Sequence, residues 1–164
     1  MFLHKLGSSD ARFRTLSFKP GLNLLVADRT EVSEQGDSRN GTGKSSFVRI
    51  LRYVLGGSVP NELQSEALAE HSFYVDVELP SEGSQGGTDA VTVTRPLRPS
   101  TRVDLLGWSR ASVREQHSDE WRALQAKFLF KVPPEASRPT VGQLWGTLIR
   151  TYFGKPTKES RVGA

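Results

Sequence analysis

The residues best suited to chemistry lie in one run of nine, from Ser38 to Ser46, which reads Ser-Arg-Asn-Gly-Thr-Gly-Lys-Ser-Ser. The run matches the phosphate-binding pattern G-x-x-x-x-G-K-[ST] at Gly43, Lys44 and Ser45, whereas Ser38 stands in place of the first glycine. In such a loop, successive backbone N–H groups point at a polyphosphate, and the N-terminus of the following helix adds partial positive charge. The spacing therefore predicts a cradle for the phosphates of a nucleotide.

Each residue type has a definite use in such a cradle. Glycine at 41 and 43 lets the backbone approach phosphate without a clash at Cβ. The ammonium of Lys44 is expected to reach the β- and γ-phosphates, and the hydroxyl of Ser45 to ligate Mg²⁺. The binding residues predicted are Ser38, Arg39, Asn40, Gly41, Thr42, Gly43, Lys44, Ser45 and Ser46. The simpler alternative is an ordinary glycine-rich turn that precedes a helix.

The elements on either side of the run are those that would position it. Residues 22–27 are almost all apolar, which is typical of a strand buried on both faces of a helix-covered sheet. Residues 45–55 carry apolar side chains at helical spacing and are followed by Gly56-Gly57, a strong helix stop. A strand, a loop and a helix are thus predicted in the order that a phosphate cradle needs.

The rest of the chain has two different patterns. Apolar and polar residues alternate over 73–79, 91–94 and 102–105, which predicts an antiparallel meander. Ser118 is predicted to cap a helix that carries Trp121 inward. Thr140 and Gln143 fit a capping box at the start of a last helix that runs to about residue 153.

The segment Asn40-Gly41-Thr42-Gly43-Lys44-Ser45 resembles the Walker A motif of SMC-like and RecN-like ABC ATPases. Residues 18–23, followed by a polar insert and then by 37–46, look closest to bacterial coiled-coil P-loop ATPases of unknown function, some of which belong to multi-component ABC-type systems. The resemblance implies an α/β fold: the N-terminal lobe of an ABC/SMC-like P-loop NTPase head, with an antiparallel β-subdomain and C-terminal helices.

The resemblance also implies ATP and Mg²⁺ as cofactors and a role in DNA repair or anti-phage defence. In such heads a C-terminal lobe, and a second ATPase head, supply the Walker B Asp-Glu pair and the signature motif. The sequence contains neither, since Asp76, the nearest candidate, falls on the polar face of a meander strand. We therefore expect a lobe that binds nucleotide and needs one of these partners for hydrolysis.

The resulting organisation is one domain over 1–164. It comprises strands in 1–27, the loop and helix at 38–55, the meander at 72–106, helices in 111–154 and a basic tail at 155–164. Two other functions remain open: an autonomous small P-loop kinase or phosphotransferase, and a non-catalytic interaction module with a vestigial loop.

Composition limits the remaining classes. The chain has no cysteine, which excludes disulfides and cysteine-bound metals. No apolar run approaches the roughly 20 residues that cross a bilayer, so a cytoplasmic protein without membrane contact is expected. The net charge of +4 equals that of residues 138–164, where five cations face one glutamate. This basic stretch predicts DNA as a partner, with a merely solvated tail as the alternative.

Three smaller assignments have two interpretations each. Gln143 is either the capping-box residue, which we favour, or a glutamine that senses the γ-phosphate. Arg12 and Phe13 either contact adenine or are ordinary strand residues. The polar insert at 28–37 is either a lid over bound nucleotide or a disordered loop.

Overall fold

The computed structural model describes residues 1–25, 44–83, 86–133 and 139–149. In order along the chain, its elements are β1 (Phe2–Ser8), β2 (Leu16–Ser17), α1 (Lys44–Val54), β3 (Ser72–Pro80), β4 (Thr88–Pro96), β5 (Arg102–Leu106), β6 (Glu115–His117), α2 (Ser118–Phe128) and α3 (Val141–Leu148). Two single 3₁₀ turns, Asn61–Leu63 and Glu66–Leu68, lie between α1 and β3.

The six strands form one sheet in the order β2-β1-β3-β4-β5-β6, and every neighbouring pair is antiparallel. The alternation predicted for the meander is present in β3, β4 and β5. In β3, Val75 and Val77 are fully buried, whereas Tyr74 and Asp76 on the opposite face are half-buried. One face of the sheet is therefore the core face, and the other is polar.

The prediction of an α/β P-loop NTPase fold is wrong. Such folds are built on a parallel sheet covered by helices, whereas the described residues form a six-stranded antiparallel sheet with three short helices. The error began at residues 22–27: Leu22 is 86% exposed and Leu24 78% exposed, so the described part of that run is not a buried strand. Instead, the Asn23 side chain accepts a hydrogen bond from the Lys19 N–H and donates one back to the Lys19 carbonyl, which closes a local loop.

The helices pack on the core face of the sheet. α1 contacts β3 and β4, α2 contacts β5 and β6, and α3 contacts both other helices. Trp121 of α2 is fully buried, and its indole N–H donates to the Val54 carbonyl at the end of α1. Trp145 of α3 is 5% exposed and donates to Gln125 of α2 at 2.5 Å. Trp145 is therefore covered by residues of this chain.

Local sequence signals predicted the start of α3 correctly and the cap of α2 to within one residue. The capping box of Thr140 and Gln143 is present, so the capping interpretation of Gln143 is confirmed. α2 is capped by His117, one residue before the predicted Ser118, because the His117 ring accepts the Asp119 N–H and Glu120 completes the box. β6 was not predicted, because its three residues are all polar or charged and show no apolar alternation.

Candidate functional site

The predicted phosphate loop leads directly into a helix. Residues 38–43 lie outside the described part of the chain, as does the insert at 28–37, and the side chains of Lys44 and Ser45 are also not described. The backbone of α1 begins at Lys44, and the first turn of α1 contains no acidic residue. The partial positive charge at this N-terminus is thus not neutralised by a carboxylate from its own first turn.

The far end of α1 is fixed by a buried cation. Arg95 of β4 is 4% exposed, and its guanidinium donates to the carbonyls of Tyr53, Gly57 (2.7 Å) and Ser100 (2.8 Å). Its guanidinium carbon also lies 4.2 Å from the centre of the Tyr53 ring. Carbonyls at a helix C-terminus lack partners within the helix, so a cation there is favourable. This contact holds the axis of α1 against the sheet and thereby sets where its N-terminus points.

A pocket of about 510 Å³ opens beside the first turn of α1; we call it the Phe13 pocket. It is lined by Ser8, Asp10, Arg12, Phe13, Ser46, Phe47, Ile50, Leu63, Leu68, His71 and Phe73. The Phe13 and Phe73 rings meet edge to face, with centroids 5.5 Å apart. Pockets of this size with an apolar lining and a few polar groups suit small ligands. The last residue of the predicted loop, Ser46, thus lies on the wall of a ligand-sized cavity.

The polar side of the Phe13 pocket is organised by Asp10. Its two carboxylate oxygens accept from the Arg12 Nε and Nη2 groups, the closest at 2.8 Å. One of these oxygens also lies 3.5 Å from His71 Nε2. Hydrogen bonds from Arg12 lower the pKa of Asp10 from its ordinary 3.8 to about 2, and the charge of His71 adds a smaller contribution. Asp10 therefore stays ionised and orients Arg12 at the pocket.

The structure brings some sequence-predicted residues together. Arg12 and Phe13 line the same pocket as Ser46, although Phe13 also packs on Phe73 as an ordinary core residue would. Asp76 lies on the polar face, as the alternation predicted, and accepts a hydrogen bond from Thr92 at 2.7 Å. The five cations of the basic stretch, Arg138, Arg150, Lys155, Lys158 and Arg161, lie outside the described residues.

Two residues at the pocket were missed by sequence reasoning. Asp10 and His71 are 61 positions apart, and nothing in either local pattern singles them out. They meet because β1 and β3 pair antiparallel, with Ser8 opposite Phe73. Only the strand register could have revealed this pair.

A metal-ligand cluster and a membrane-spanning helix are two features that the described part of the chain lacks. Within 1–25, 44–83, 86–133 and 139–149, no three histidine, aspartate or glutamate side chains are grouped to hold a metal ion. In the same part of the chain, no helix has the length and apolar character to cross a membrane. Comparison with known proteins adds no assignment: no protein-family model matches the chain, and no curated protein matches it significantly.

Proposed function

We propose that this chain binds a nucleoside triphosphate with Mg²⁺, with the phosphates on residues 38–46 and the base in the Phe13 pocket. The observation that carries the proposal is the position of Ser46, which directly follows the phosphate-binding pattern and lines the same cavity as Arg12 and Phe13. The triphosphate would then lie at the N-terminus of α1, where no acidic residue of the first turn opposes it. ATP is the nucleotide that the sequence resemblance favours.

The aromatic wall of the pocket suits a nucleobase. A base is flat and has a π-face, so phenylalanine side chains can pack against it, and a guanidinium can stack on it. The Arg12 side chain is 80% exposed, yet it is held in place by its two-point contact with Asp10. Arg12 is therefore preorganised at the mouth of the pocket and loses little further side-chain entropy on binding.

Asp10, the carboxylate that lines the Phe13 pocket, is poorly suited to activate the water that hydrolysis needs. A general base works best when its pKa lies near the operating pH, and Asp10, with a pKa of about 2, is far below that range. We therefore propose that a C-terminal lobe or a second ATPase head supplies the carboxylate that activates water. A cytoplasmic location, DNA contact through residues 138–164 and a role in DNA repair or anti-phage defence belong to the same proposal.

The test of the phosphate site is Lys44→Ala, measured by calorimetry with Mg²⁺-ATP. Loss of the cation is expected to weaken binding by about 1.5–3 kcal/mol, the range for a hydrogen bond to a charged group. Lys19→Ala is the matched control, because Lys19 is exposed and its replacement removes the same charge. Equal affinity in all three proteins would remove the phosphate cradle and favour the non-catalytic interaction module.

Two further variants test the Mg²⁺ ligand and the nucleobase pocket separately. Ser45→Ala should weaken binding in Mg²⁺ and have little effect in EDTA, because the serine hydroxyl is assigned to the metal. Phe13→Leu should weaken ATP but leave inorganic tripolyphosphate unchanged, because only ATP has a base to place in the pocket. A Phe13→Leu chain that binds both ligands as the wild type does would contradict the assignment of the pocket to the base.

A further inference from the structure

A second pocket lies at the other end of β3; we call it the hairpin pocket. It has a volume of about 380 Å³ and lies between the β3–β4 hairpin, the turn after β5 and the end of α2. Its lining residues are Pro80, Ser81, Gly86, Gly87, Thr88, Arg110, Lys127, Phe128 and Lys131. His71 lines the Phe13 pocket, and Pro80, nine residues later, lines the hairpin pocket. The extended strand between them separates the two pockets by about 25–30 Å.

The lining of the hairpin pocket is strongly biased in charge. Arg110, Lys127 and Lys131 give it three cations, and none of its lining residues is a carboxylate. None of the three cations forms an ion pair within the described residues, whereas Arg49, Arg98, Arg102, Arg12 and Arg122 are each paired with an aspartate or glutamate. Three cations around one cavity, none of them at ion-pair distance from a described carboxylate, create a positive potential that a bound anion would relieve.

Two of the cations are held in place by neighbouring groups. The Arg110 guanidinium donates to the Pro80 carbonyl at 3.0 Å and to the Ser81 carbonyl, and it lies 4.5 Å from the centre of the Phe128 ring. The Lys127 ammonium lies 4.9 Å from the centre of the same ring. Cation–π contact and carbonyl hydrogen bonds orient the positive charges without neutralising them. Arg110 and Lys127 are therefore preorganised for an anion.

Two carboxylates flank the pocket in sequence, Glu82 in the hairpin loop and Asp89 in β4, and neither lines it, although the charges of Asp89 and Arg110 interact. Asp89 accepts hydrogen bonds from the N–H and hydroxyl of Ser109, at 2.8 and 2.6 Å, through one carboxylate oxygen. Gly86 adopts a φ of +82°, and a Cβ built on it would meet no atom within 4 Å. Among the described residues, the space beside Gly86 is thus open.

We propose that the hairpin pocket binds a phosphate group. A phosphate offers several oxygens to a guanidinium and two ammonium groups at once, and its charge matches the unpaired cations of the lining. The volume suits one phosphate with the sugar attached to it. This phosphate chemistry has two sources, a free phosphorylated small molecule or the backbone of a nucleic acid, and the experiment below distinguishes them.

Trp108 provides a local probe for the experiment. Its indole N–H donates to the Pro80 carbonyl at 2.9 Å, and its ring lies 6.0 Å from the Phe128 ring, so two lining residues contact it. Titration with pyrophosphate at low salt, followed by the indole N–H signal in ¹⁵N NMR, should give a saturable shift. The same shift should persist in Lys44→Ala, because the hairpin pocket is separate from the loop at 38–46.

The double variant Lys127→Gln/Lys131→Gln should bind pyrophosphate at least fivefold more weakly. Lys19→Gln/Arg114→Gln removes the same charge from exposed positions away from the pocket and should stay within twofold of the wild type. An unmoved Trp108 signal, its loss in Lys44→Ala, or equal weakening in both double variants would overturn the proposal.

Two phosphorylated ligands, tested in the same assay, show whether the bound phosphate belongs to a small molecule or to a nucleic acid. If AMP saturates the Trp108 shift as tightly as a twelve-nucleotide single strand, the site takes a small phosphorylated molecule. If affinity rises with strand length and falls steeply with salt, the phosphates are those of a nucleic-acid backbone. Each result supports the pocket, and binding of neither ligand at millimolar concentration would count against it.

Discussion

The Asp10 carboxylate serves to orient the Arg12 side chain at the Phe13 pocket. It accepts hydrogen bonds from the Nε and Nη2 groups of the Arg12 side chain and from the Arg12 backbone N–H, all of which favour the ionised form. The charge of His71, the residue before β3, also lowers the pKa of Asp10. The result is a fixed anion that places Arg12, a role that needs no proton transfer.

The pH dependence of this pair can be measured directly. In the wild type, the ¹³C carboxyl signal of Asp10 should remain that of the ionised form down to about pH 3, because its pKa is lowered from 3.8 to about 2. Because the pKa of Asp10 is lower in the folded than in the unfolded chain, its ionised form stabilises the folded protein at pH values above the unfolded pKa. That contribution is lost as the pH falls from about 4 toward 2. In Arg12→Gln the midpoint should move up toward 3.8, and an unchanged midpoint would show that Arg12 is not the cause.

The stability of helix α3 is limited by its glycine content. It contains Gly142 and Gly146, and a Cβ built on either would meet no atom within 4 Å. Neither glycine is at positive φ. These glycines therefore cost helix stability without relieving a clash, since glycine is less favourable than alanine by about 1 kcal/mol in a helix.

Gly142→Ala and Gly146→Ala should each raise the free energy of unfolding by about 0.5–1 kcal/mol, measured by urea denaturation. Gly107→Ala is the contrasting variant. Its φ is +91° and its added Cβ would lie 2.5 Å from the Ala90 carbonyl oxygen, so it should destabilise by about 1–3 kcal/mol. Loss of stability in the α3 variants would mean that the space beside α3 is filled in solution.

At the level of elements, the sequence was informative where the pattern was local. Alternation located β3, β4 and β5, and the capping box at Thr140 located the start of α3. The run at 22–27 misled, because an apolar run does not reveal whether anything covers it, and Leu22 and Leu24 are exposed. The motif at the candidate site is visible in the sequence, but the Phe13 pocket depends on the pairing of β1 with β3 across more than 60 residues.

For the molecule as a whole, we expect nucleotide binding without turnover. The described carboxylate at the Phe13 pocket is a weak base, and the sequence has no Walker B Asp-Glu pair to activate water. Phosphate release from Mg²⁺-ATP by the purified chain should therefore equal that of Lys44→Ala. Turnover that is clearly above this control would contradict the need for a partner and favour an autonomous phosphotransferase.

Arg95 also has a consequence for how the molecule opens. One guanidinium joins three stretches: the last turn of α1, the loop at Gly57 that directly follows it, and the loop at Ser100, which is distant from both in sequence. If any of these stretches moves away, its carbonyl loses the hydrogen bond from Arg95, and the buried guanidinium loses an acceptor. Both losses are costly in free energy. Amide hydrogens in all three should therefore exchange with solvent through one shared opening event, so that the C-terminal end of α1 and the β4–β5 loop form a single cooperative unit.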